Sequence, residues 1–137
     1  MTGRIVNDMI DCKAVIDEVA NNDNGAVLTF AGTVRNTNLG RSVSGIDYHA
    51  YESMAGKEIE KLENEIAERW PGVQARIVHR IGRLELGETS VFIAVGGAHR
   101  EESFAALRHA IDRLKEEAPV WKREQYEDGS EAWLEGS

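Results

Sequence analysis

The chain has 137 residues, of which 42% are hydrophobic and 29% charged, and 24 acidic against 16 basic residues give a formal net charge of -8. This composition predicts one globular domain over residues 1–137 and argues against nucleic-acid binding, which requires a basic stripe. A single cysteine, Cys12, excludes an intrachain disulfide, and the lack of any signal-peptide-like or membrane-length apolar run predicts a cytoplasmic protein without a membrane span.

The first half of the chain is predicted to contain two helices and two strands. In chain order these are a helix over 11–20, a buried strand over 25–34, a polar loop over 35–41, a half-buried strand over 44–51 and a helix over 53–70. Asp11 is a suitable N-cap for the first helix. Pro71 and Gly72 end the second helix, whose apolar residues recur at helical spacing.

The second half repeats the mixture of strands and helices. It contains strands around 73–77 and over 90–95, a helix over 101–117, and strands over 120–126 and 131–134 that form a hairpin around Asp128-Gly129. The continuous apolar run over 90–95 predicts a central strand. Because strands and helices do not alternate regularly, the fold class is α+β rather than doubly wound α/β.

Lys115 and Lys122 are the strongest candidates for chemistry. Lys115 falls in the last turn of a predicted helix and Lys122 on the strand after Pro119, so a turn at the proline brings both ammonium groups to one pocket. Two nearby cations lower each other's pKa, and a lysine with a lowered pKa serves as an acid, a base or a nucleophile near neutral pH. The alternative is a pair of solvated lysines, which the spacing alone favours.

Anion binding is the second predicted chemistry. His99 and Arg100 follow two glycines and precede a long helix, where free backbone N–H groups and the helix dipole favour a phosphate. Arg35 opens a polar loop after a buried strand, a common position for ligand-binding residues. The alternatives are a surface ion pair of Arg100 with Glu101 or Glu102 and a solvated Arg35. A further His-Arg pair, His79 and Arg80, is interpreted as structural.

No familiar catalytic or metal-binding motif is present. The chain lacks a nucleophile elbow, a P-loop and a dinucleotide-binding glycine motif. The four histidines have no mutual spacing typical of metal ligands. We therefore expect neither a bound metal nor another cofactor.

Several short blocks in a fixed order nevertheless resemble one family, that of the large, catalytic subunits of molybdopterin synthase. Each block alone is modestly specific, and the ordered set, which spans about Gly25 to Trp133, is highly specific. The blocks are FAGTVRN at 30–36 with NLG at 38–40, YHAYESMA at 48–55, HRIGRLELGE at 79–88, AHR at 98–100 with Phe104, LK at 114–115, APVWKRE at 118–124, and DG at 128–129 with Trp133.

The resemblance implies a fold and an activity. The fold is a hammerhead-type mixed sheet with two main helices and an added antiparallel β portion. The activity is the conversion of cyclic pyranopterin monophosphate to the molybdopterin dithiolene, in molybdenum cofactor biosynthesis. The sulfur comes from the C-terminal Gly-Gly thiocarboxylate of a small ubiquitin-like subunit, whose tail enters the large subunit. Two large subunits form a central homodimer with one small subunit at each end, a heterotetramer.

The resemblance also assigns residues. The essential lysine pair of the family falls on Lys115 and Lys122, its anion-binding arginine on Arg35, and its His-Arg pair on His99 and Arg100. These imply catalysis by the lysines and substrate binding by the other three. Two departures, Gly96-Gly97 before the His-Arg block and a short C-terminus, bear on partner docking.

Two other functions are compatible with the same features. The first is a non-catalytic scaffold that docks a ubiquitin-like partner, and the second is a sensor of an anionic pterin or nucleotide. A sensor requires the anion-binding residues but no second lysine, and a scaffold requires neither lysine. Retention of all five site residues favours the enzyme.

Overall fold

The computed structural model describes residues 3–136, and within them it contains helices and strands in mixed order. The helices are α1 (Cys12–Val19), α2 (Glu52–Arg69) and α3 (Arg100–Glu117). The strands are β1 (Ile5–Val6), β2 (Ala26–Thr33), β3 (Thr37–Asn38), β4 (Arg41–Ala50), β5 (Gln74–Arg80), β6 (Gly82–Leu84), β7 (Thr89–Gly97), β8 (Val120–Tyr126) and β9 (Glu131–Glu135). The α+β class is therefore confirmed.

The first sheet has the strand order β1-β5-β7-β2. β7 lies in its middle, as its continuous apolar sequence predicts, and pairs antiparallel with both β2 and β5. One face packs on α2 and α3 around Ile77 and Ile93, and the other packs on α1 around Val78 and Phe92. Both faces of β7 are thus covered, which explains its lack of polar alternation.

The second sheet has the order β3-β4-β8-β9, with β6 also pairing with β4. The β8–β9 hairpin turns at the predicted Asp128-Gly129, where Gly129 has a φ of +88°. Three short strands were not predicted: β1, β3 and β6. Each has two or three residues, too few for a periodic signal to be recognised.

The two glycines before His99 are explained by close packing. A Cβ atom at Gly96 would overlap the carbonyl oxygen of Val19 at the end of α1, and one at Gly97 would overlap the hydroxyl of Ser103 in α3. Glycine is the residue that permits such approaches. The departure at Gly96-Gly97 therefore concerns how α1 and α3 pack on β7.

A buried carboxylate joins four segments of the fold. Glu63 of α2 accepts hydrogen bonds from Arg4 at 2.7 Å, from Arg76 at 3.0 Å and from the Ile77 backbone N–H at 3.0 Å. Arg76 also pairs with Glu18 of α1 at 3.1 Å. The network ties the N-terminal segment and α1 to α2 and β5.

We expect Glu63→Ala to lower the free energy of unfolding by about 1–3 kcal/mol, because it removes the carboxylate that accepts buried hydrogen bonds from Arg76 and from the Ile77 N–H. Denaturant unfolding followed by circular dichroism measures the change. Glu60→Ala is the matched control, since Glu60 is exposed on the same helix and its loss should change stability by less than about 0.5 kcal/mol. Equal effects of the two substitutions would contradict the structural role of Glu63.

Candidate active site

A polar cavity of about 180 Å³ lies where the two sheets meet. The first sheet contributes the ends of β2 and β7, and the second sheet contributes β4 and β8. The C-terminal end of α3 closes one side with Lys115. With Thr37 and Asn38 of β3, the cavity collects residues from six elements, β2, β3, β4, β7, β8 and α3.

Lys115 and Lys122 both line this cavity. Pro119 separates α3 from β8, and the chain folds back between the two lysines as the sequence suggests. Lys115 is exposed, whereas Lys122 is partly buried. Burial lowers the pKa of Lys122 below that of an ordinary lysine, and the charges of Lys115 and Arg35 lower it further while Glu124 raises it. Lys122 thus has the electrostatics of an acid/base group.

Arg35 lies on the same cavity, on the loop that follows β2. Its guanidinium is exposed and close enough to Lys122 to act on that lysine's pKa. Together Arg35, Lys115 and Lys122 present positive charge to a small concave surface of an acidic protein. This surface suits an anionic ligand.

A buried carboxylate, to which the sequence analysis assigned no role, forms the floor of the cavity. Glu124 is 3% exposed and accepts hydrogen bonds from the Asn38 amide at 2.9 Å and from the Tyr126 hydroxyl at 2.9 Å. Its position two residues after Lys122 on one strand places both side chains on the same face. The two-residue spacing of Lys122 and Glu124 on a strand was the sequence signal that could have placed Glu124 in the site. Through its hydrogen bond with Asn38, Glu124 holds the β3–β4 hairpin against the cavity.

Tyr48 is the second cavity residue without a predicted role. It is directly opposite Lys122 in the β4–β8 pair, and the Lys122 Nζ atom lies 5.9 Å from the centre of its ring. Burial raises the pKa of the Tyr48 phenol. The aromatic face supports the ammonium group of Lys122 without neutralising it.

The structure does not bring His99 and Arg100 to this cavity. His99 is the N-cap residue of α3 and Arg100 its first residue, and both side chains are exposed. Lys115 lies near the other end of the same helix, about 22 Å away at the helical rise of about 1.5 Å per residue. Within one copy of the chain, therefore, only three of the five predicted residues share a site.

Within residues 3–136, no group of His, Cys, Asp or Glu side chains has the arrangement of a metal site. No helix in that range is long and apolar enough to cross a membrane. The titratable side chains that line the cavity are Arg35, Tyr48, Lys115, Lys122 and Glu124.

Comparison with known sequences identifies close relatives. The model of a family described as MoaE protein matches residues 5–117. A molybdopterin synthase catalytic subunit of Halalkalibacterium halodurans is 45% identical over 130 residues, which are 95% of this chain and 83% of that protein.

Solved structures give the same picture. A crystal structure of molybdopterin synthase from Staphylococcus aureus superposes with a TM-score of 0.92 at 38% identity, covering 97% of this chain and 96% of that one. A complex of subunits 1 and 2 of the molybdopterin-converting factor from Helicobacter pylori has a TM-score of 0.79 at 22% identity, covering 95% and 88%. The second likeness concerns the fold alone.

Proposed function

The chain belongs to the MoaE protein family, and from this premise we propose that the cavity at the junction of its two sheets is the site of sulfur transfer. The activity is that of the catalytic subunit of molybdopterin synthase, a sulfurtransferase of molybdenum cofactor biosynthesis. The convergence of Lys115, Lys122 and Arg35 on one cavity is the observation that carries the proposed site.

The chemistry of the reaction matches these groups. A thiocarboxylate is already a competent nucleophile, so the site need not generate one. It must bind the anionic substrate and handle a proton when the cyclic phosphate of the pyranopterin opens. We assign to the exposed Lys115 the role of neutralising the negative charge of the incoming thiocarboxylate. Lys122, with its lowered pKa, donates the proton to the departing oxygen, and Arg35 binds the phosphate or the pterin.

The sulfur donor is proposed to be a small ubiquitin-like subunit with a C-terminal Gly-Gly thiocarboxylate. A partner subunit is present in the Helicobacter pylori complex. In this chain, a groove of about 650 Å³ borders the cavity and shares Lys115 with it. Tyr51, Trp121 and Trp133 line the groove, and aromatic side chains of this kind are common at the centre of protein interfaces. The groove is the proposed path of the tail to the lysines. We also propose that the subunit is cytoplasmic and forms a single domain.

We further propose that two copies form a homodimer in which each site takes His99 and Arg100 from the partner subunit. β2 is an edge strand of the first sheet. Its Ala26 end pairs with Gly97, just before His99, and Arg35 follows its Thr33 end. Antiparallel pairing of two β2 edges about a two-fold axis would place the partner's His-Arg pair near Arg35.

The size of the cavity supports this arrangement. Sites for small molecules commonly have volumes of about 300–1,000 Å³, whereas the cavity in one copy measures about 180 Å³. A second copy would extend its walls and supply more positive charge for the phosphate. His99 and Arg100 remain substrate-binding residues in this proposal.

The function is tested by mixing the protein with a thiocarboxylated small subunit and cyclic pyranopterin monophosphate. We expect molybdopterin, measured after oxidation to its fluorescent derivative, to form in proportion to the thiocarboxylate supplied. The control is the same small subunit with an ordinary carboxylate terminus, which carries no sulfur. A folded protein that binds the small subunit and yields no product would instead support a scaffold.

A further inference from the structure

A buried histidine lies behind the cavity and has no part in the function proposed above. His79 of β5 is 0% exposed and lies between Val91 of β7 and Ile5 of β1. Its ring packs edge-to-face on Tyr48, with 5.1 Å between ring centres and 68° between ring planes. Since Tyr48 lines the cavity, His79 is one ring removed from the cavity wall.

The hydrogen bonding of His79 fixes which nitrogen carries the proton. Nδ1 lies 2.8 Å from the Arg80 carbonyl oxygen, which can only accept, so Nδ1 holds the hydrogen and donates it. Nε2 then carries a lone pair, and it is buried without a hydrogen-bond partner among the described residues. Because nearly all buried polar atoms are paired, this acceptor requires a donor, and the neighbouring cavity holds the ammonium groups of Lys115 and Lys122.

The cations of the cavity act directly on this ring. Burial lowers the pKa of His79 to about 4, and the charges of Lys115 and Lys122 contribute, against the hydrogen bond to Arg80. The ring is therefore neutral near pH 7 and adds no further positive charge. Around it, the titratable groups are Tyr48 on β4, Lys115 on α3 and Lys122 on β8, whereas Val91 on β7 and Ile5 on β1 do not titrate.

Tyr48 connects His79 to Lys122. The two residues are cross-strand partners, and the face of the Tyr48 ring lies 5.9 Å from the Lys122 Nζ atom. The same Tyr48 ring is in T-shaped contact with His79. A purely structural histidine would explain the burial, but it would leave unexplained a buried, unpaired lone pair that the charges of Lys115 and Lys122 reach.

We propose that His79 is a positioning residue of the sulfur-transfer site, which orients the Tyr48 ring beneath Lys122 and accepts at Nε2 a hydrogen bond from the lysine pair. The inference rests on the function proposed above for the two lysines. A neutral acceptor favours the charged form of a lysine less strongly than a carboxylate does. The lysine thus holds its proton in the resting site and still releases it during the reaction.

Two variants separate this role from packing. His79→Phe keeps an aromatic ring of similar size and removes both nitrogens, whereas His79→Gln keeps an acceptor near the position of Nε2. We expect His79→Phe to lower kcat about 10-fold or more, with little change in KM for the pterin. The alkaline limb of its pH profile should move to lower pH, because the lysine ammonium has lost an acceptor. His79→Gln should restore most of kcat and the position of that limb.

A measurement on the parent protein does not depend on how the variants fold. With ¹⁵N-labelled histidine, Nε2 of His79 should give the resonance of an unprotonated nitrogen at neutral pH, and it should shift in Lys115→Met or Lys122→Met. A resonance unmoved in both lysine variants, or a folded His79→Phe with the parental kcat and pH profile, would overturn the inference. Failure of the parent protein to make molybdopterin would refute the proposed function instead, and the resonance test would still stand.

Discussion

Lys122→Ala is expected to lower the rate of molybdopterin formation at least about 100-fold, the usual contribution of a general acid or base. Lys122 is the partly buried member of the lysine pair, and its pKa is lowered mainly by burial. Among residues 3–136, the other lysine that lines the cavity is Lys115, whose exposed position suits binding of the carboxyl tail rather than proton transfer. The rate is measured in single turnover with saturating thiocarboxylated small subunit.

The matched control is Lys61→Ala, which removes an exposed lysine of α2 that is not part of the cavity lining. It should leave the rate unchanged. Binding of the small subunit, followed by calorimetry, should survive in Lys122→Ala, because the groove that borders the cavity does not include Lys122. A variant that turns over at the parental rate would remove Lys122 from the proposed mechanism.

The direction in which the rate changes with pH is an independent test of Lys122 as the proton donor. If the ammonium form of Lys122 is the proton donor, the rate falls as pH rises through its pKa. That pKa lies below the ordinary lysine value because burial and the charges of Lys115 and Arg35 lower it. Lys122→Arg keeps the charge but does not titrate in this range. Any activity it retains should therefore lack the alkaline fall.

The sequence predicted the fold well because its long elements carry strong periodic signals. The central strand β7, the helices α2 and α3 and the β8–β9 hairpin all follow from local patterns. The short strands β1, β3 and β6 depend instead on partners distant in the chain. No local window contains that information.

The site residues also fall into those that local sequence could predict and those that depend on distant contacts. Lys115 and Lys122 are close in sequence and joined by a proline turn, so their proximity was open to prediction. Glu124 and His79 acquire their properties only from tertiary contacts, with Asn38 and Tyr48 respectively. A histidine near the end of a strand has no local feature that reveals a buried, unpaired ring nitrogen. The predicted helix over 101–117 already placed Arg100 and Lys115 at its opposite ends, but local sequence could not show that the cavity lies at the Lys115 end.

That separation leads to a prediction about mixed dimers. If each site combines its own Lys122 with the partner's Arg100, the Lys122→Ala and Arg100→Ala homodimers should both be strongly impaired. A mixed dimer of the two should contain one intact site, built from the Lys122 of one copy and the Arg100 of the other. Its second site should carry both substitutions and be inactive.

Random assortment of equal amounts makes half of the dimers mixed, so activity should recover to about one quarter of the parental value per site. Co-expression with two affinity tags yields the mixed dimer for direct assay. Lack of recovery in a purified mixed dimer would show that Arg100 serves its own copy or another surface. Parental activity of Arg100→Ala alone would remove the residue from the site altogether. Recovery requires that the two residues act across the interface, because no single copy of the mixture carries both.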